Sequence, residues 1–146
     1  RSVLMAVFDG VVRSAVLTLN ATQIDALFTT PLELVPAQGA GLIAMPLAVT
    51  ARMTKTVAVW TANPNLIVRW VGDTTNLLQN ITMLLANPTT DQLFTALRSS
   101  AAYTVANAFN PSNRALEATF SADANPGPAN TVLKINLLYE VVRDLY

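Results

Sequence analysis

Thr131-Val-Leu-Lys-Ile-Asn-Leu-Leu-Tyr-Glu-Val-Val142 decides the architecture, because its side chains alternate between apolar and polar. Leu133, Ile135, Leu137, Tyr139 and Val141 fall on one face of an extended chain, with Lys134, Asn136 and Glu140 on the other. Successive side chains of a strand point to opposite faces, so this is a strand with one face on a core. Leu138 and Val142 break the pattern by joining the polar face.

Working backwards, Asp123-Ala-Asn-Pro-Gly-Pro-Ala-Asn130 is a loop of turn-forming residues. Leu116 to Ala122 is a strand, Asn110-Pro-Ser-Asn113 a turn and Ala102 to Phe109 a further apolar strand. At the other end, Ser2 to Phe8 is a continuous apolar run, suited to a strand covered on both faces or to an arm docked on a neighbour. Val11 to Leu19 reads as a strand through its β-branched residues. A helical turn or two follows over Asn20–Phe28, where Thr22 and Asp25 form a capping arrangement and Ile24, Leu27 and Phe28 share a face. Pro31 ends it.

Leu32 to Val35 is a short strand, and Pro36-Ala-Gln-Gly-Ala-Gly41 a turn with two glycines available for positive φ. Leu42 to Met53 is extended, and Pro46 within it predicts an edge strand or a bulge. Thr56–Trp60 and Leu66–Val71 are strands joined by Thr61-Ala-Asn-Pro-Asn65. In the middle, Leu77, Leu78, Ile81, Leu84 and Leu85 follow helical spacing, and Leu93, Phe94 and Leu97 repeat it after Asp91. A strand through Asn80–Leu85 is the alternative there. The expectation is an all-β, jelly-roll-like sandwich of about eight strands with a short helical insert over Asn76–Leu97. Residues 1–146 form one domain, with 1–8 as an N-terminal arm.

Composition narrows the chemistry. Of 146 residues, 52% are hydrophobic and only 12% charged, about half the ~25% usual in soluble domains, which excludes disorder. Histidine and cysteine are absent, which removes thiol nucleophiles, Ser-His triads, Cys/His zinc sites and disulfides together. Nine basic residues balance nine acidic ones, so there is no nucleic-acid footprint, and the seven arginines make no patch. Arg69 beside Trp70, with Trp60 one strand earlier, could stack bases. A core tryptophan with a solvated arginine is the simpler account. The longest uncharged stretch, Leu34–Ala51, is interrupted by Pro36, Gly39, Gly41 and Pro46, so no membrane span is expected. Arg1–Gly10 is too short an apolar run to be a signal peptide.

The nine acids are dispersed, and a glycosidase pair would need folding to assemble it. Asp123-Ala-Asn125 is the nearest approach to a calcium loop and reads better as a turn. Gly39-Ala-Gly41 leads into a strand, so it is no phosphate-binding loop. No catalytic residue, cofactor or metal site is expected.

The remaining anomaly is apolar surface. Leu138 and Val142 on the outward face of the last strand, together with Val3, Met5 and Val7 of the N-terminal run, make a candidate protein-contact set. Either the helical insert covers that outward face, or an external partner does.

The order of segments resembles a known family. Leu17-Thr-Leu-Asn-Ala-Thr-Gln-Ile24 and Thr30-Pro-Leu-Glu-Leu-Val-Pro-Ala-Gln-Gly-Ala-Gly41 are similar to the opening of small virion proteins of tailed bacteriophages. Asn113-Arg-Ala-Leu-Glu-Ala-Thr-Phe120 and Thr131–Val142 resemble that family's closing hairpin. The resemblance spans about two thirds of the chain and departs from the family in the leucine-rich segment Asn76–Leu97. It implies a jelly-roll capsid decoration, or cement, protein on the outer surface of the virion. Its implied partners are the major capsid protein and further copies of itself, as a dimer or trimer, with no nucleic acid and no membrane. A head-fibre or tail component binding host carbohydrate is the alternative, with Trp60, Trp70, Tyr103 and Asn65 as its platform. A carboxylate hydrolase is a third reading.

Overall fold

The computed structural model describes residues 10–54, 62–73, 79–82, 92–97, 109–123 and 130–144. Among these residues, eight strands and one short helix run in the order β1 (Arg13–Leu19), α1 (Ala21–Ala26), β2 (Leu32–Val35), β3 (Leu42–Thr54), β4 (Asn65–Trp70), β5 (Gln79–Thr82), β6 (Gln92–Leu97), β7 (Leu116–Phe120) and β8 (Val132–Arg143). They make two four-stranded antiparallel sheets, ordered β1-β8-β3-β6 and β2-β7-β4-β5.

The pairing has a simple rule. β1 pairs with β8, β2 with β7, β3 with β6 and β4 with β5, as if one long hairpin had been closed on itself. The contacts β3–β8 and β4–β7 then roll that hairpin into two sheets. A rolled hairpin of this kind is a jelly roll, so the expected all-β sandwich is the fold.

The core lies between the sheets. Leu133, Ile135 and Leu137 of β8 are fully buried, and the register sets them opposite Met53, Ala51 and Val49 of β3. Leu66, Val68 and Trp70 of β4, with Leu116, Ala118 and Phe120 of β7, face them from the second sheet. Val141 is buried too, whereas Tyr139 is half-buried against this cluster.

Pro46 marks a bulge, as expected, between Pro46 and Ala48. The extra residue reverses the phase of β3. Val49, Ala51 and Met53 face inward on one side of the bulge, and buried Ala44 and Pro46 oppose Val141 and Tyr139 on the other. The edge-strand alternative does not hold, because β3 lies between β8 and β6. Proline is accommodated there because β6 pairs with β3 only from Ala48 to Met53.

Two expectations need correcting. The first is the helical insert over Asn76–Leu97, which contains strands β5 and β6 instead. Their partners are Asn65–Val68 and Ala48–Met53, so tertiary pairing overrides the local helical spacing. The second is the cap of α1. Asn20 is the N-cap, its Oδ1 accepting from Gln23 N (2.9 Å), while Gln23 Oε1 accepts from Asn20 N (3.0 Å). The capping box therefore starts two residues before Thr22, which lies within the first turn.

The turn after β2 is fixed by a second turn. Gly39 (φ 108°) and Gly41 (φ 74°) donate backbone N–H groups to Asn113 Oδ1 (2.9 Å) and Ser112 Oγ (3.1 Å). Asn113 N donates back to Leu42 O, and Asp144 N to Gly41 O, both at 2.8 Å. The turns at this end of the sandwich thus clamp one another. The strands expected at Thr56–Trp60 and Ala102–Phe109 fall outside the described residues apart from Phe109, and so does most of the Asp123–Asn130 loop.

Candidate interaction surface

In an antiparallel ladder, residues directly opposite one another project from the same face. On the outer face of the β1-β8-β3-β6 sheet the register builds three rows. Thr18, Lys134, Arg52 and Leu93 form the first, and Val16, Asn136 and Thr50 the second. Ser14, Leu138 and Ala48 form the third. Ser14 Oγ donates to Asn136 Oδ1 at 2.8 Å, tying the edge strand to its neighbour.

Large apolar side chains stand open on this face. Val16 is 61% exposed, Leu93 67% and Leu138 37%. β6 lies beside β3 in the plane of the sheet, so this part of the segment expected to cover the face widens it instead. Val11 and Val12, just before β1, are also exposed.

Of the expected contact residues, Leu138 is where the alternation put it. Val142 is half-buried, opposite buried Ile43 across β3, and packs against the core cluster. Val3, Met5 and Val7 lie outside the described residues. Sequence reasoning missed Val16, Arg52 and Leu93. The first two were accessible: Val16 alternates with Ala15 and Leu17, and Arg52 alternates with Ala51 and Met53. Leu93 was hidden by the helical reading of its segment.

The second sheet presents a different face. Ile67 and Thr119 oppose one another on its outer side and are both buried. The Thr119 hydroxyl donates to the carbonyl of Leu27, the C-cap of α1, at 3.1 Å. Nearby, Glu33 stands opposite Glu117, whose Oε1 accepts from Arg69 Nε at 2.8 Å. These two carboxylates meet on a sheet face, not in a cleft.

A cleft of about 400 Å³ is lined by Thr22, Asp25, Ala26, Thr29 and Asp123. It brings Asp25 and Asp123 to one place, but its walls offer no aromatic or large apolar side chain for a substrate to pack on. Among the described residues, no three acidic side chains gather as a metal site would need.

Trp70 is only 2% exposed, so it offers no face to a base or a sugar. It stacks on Phe109 (centroids 6.4 Å apart), and the Arg114 guanidinium lies over the far ring, 5.5 Å from its centroid. The core reading of Trp70 is correct, while Arg69 pairs with Glu117 instead of standing solvated. Trp60 and Tyr103 lie outside the described residues.

The described residues thus form a jelly roll with Val16, Leu93 and Leu138 exposed on the outer face of one sheet. Its fold is that of a chain in the solved capsid of Ralstonia phage GP4, with a TM-score of 0.50 and 16% identity over 94% of this chain and 87% of that one. A chain in the acidic stable capsid of Helicobacter pylori bacteriophage KHP30 is similar at a TM-score of 0.49 and 16% identity, over 94% and 95% of the two chains. No protein-family model and no curated protein matches the sequence.

Proposed function

We propose that this chain is a non-enzymatic structural protein of a phage virion. In this reading it binds the outer surface of the capsid and bridges major capsid protein subunits, stabilising the head. The observation that carries the reading is the open apolar face of the β1-β8-β3-β6 sheet on a jelly roll shared with a phage capsid chain.

The physics suits that role. Cementing a shell needs area and slow dissociation, and permanent interfaces are more apolar than transient ones. Repeated attachment on one shell multiplies weak contacts through avidity. A subunit that binds the assembled shell, and not its separated parts, stabilises the shell by mass action.

Co-sedimentation with empty shells of the phage that encodes the chain tests the proposal. The expected result is saturation at a fixed ratio to the major capsid protein, with a rise in the temperature at which shells open. A stable trimer that ignores shells would move the assignment to a fibre or tail component.

A further inference from the structure

We draw no further inference here: the strongest candidate, the outer face of the β1-β8-β3-β6 sheet on which Val16, Leu93 and Leu138 stand exposed, carries nothing, because nothing in the structure shows what covers it.

Discussion

Trp70, in one sheet, donates its indole N–H to the carbonyl oxygen of Ala44, in the other, at 2.9 Å across the buried end of the sandwich. β6 stops pairing at Ala48, so the indole supplies a donor beyond the reach of that ladder. This bond is directional and helps fix how the two sheets sit at this end. Trp70→Phe leaves the buried carbonyl without that donor and should cost about 1–3 kcal/mol. Urea denaturation checks it, with the midpoint falling and the slope unchanged.

Asn20 and Gln23 close the first turn of α1 on each other. The helix has six residues, too few for propensity to hold it alone, and its Ile24 is fully buried. Asn20→Ala should therefore destabilise the whole domain by about 1 kcal/mol, more than Thr22→Ala does. Thermal melts of the two variants side by side give the comparison. Equal losses would return the cap to Thr22.

Arg69 meets Glu117, which itself stands opposite Glu33. Removing the guanidinium as Arg69→Met leaves two carboxylates facing across β2 and β7. The expected loss is about 1 kcal/mol, and Glu33→Gln should restore part of it by ending the repulsion. In the unaltered background, Glu33→Gln should be close to neutral. A double-mutant cycle by chemical denaturation reads the coupling.

Asn113 has φ 53° and accepts the Gly39 N–H through its side chain. Asn113→Gly keeps the backbone conformation and loses one exposed bond, whereas Asn113→Ala also forces a Cβ-bearing, non-bonding residue into the left-handed region. The alanine variant should be the less stable by about 1 kcal/mol. The order of their melting temperatures settles which role dominates.

How much of this was legible varies from one element to another. β2 matches its sequence reading residue for residue, because Pro31 and Pro36 bracket it. β8 was readable because its inner residues face a core along nearly the whole strand. β5 and β6 were not, because their identity comes from partners elsewhere in the chain, and a leucine spacing of four is the stronger local signal. Register was equally hidden: Ser14 bonds Asn136, 122 positions away. The interaction face shows the same division. Alternation alone placed Leu138 on the outside, and Val142 keeps the same phase of β8, but its partial burial opposite Ile43 comes from packing that no local signal shows. That Arg52 faces Lys134 is a product of pairing, so neither residue signals it locally.

Cryo-electron microscopy of shells assembled with and without this chain tests the central claim most directly. Extra density is expected on the outer surface of the loaded shell, into which two four-stranded sheets fit, with the β1-β8-β3-β6 sheet turned toward the capsid subunits. Density confined to the inside of the shell or to the tail, or identical maps with and without the chain, would contradict it.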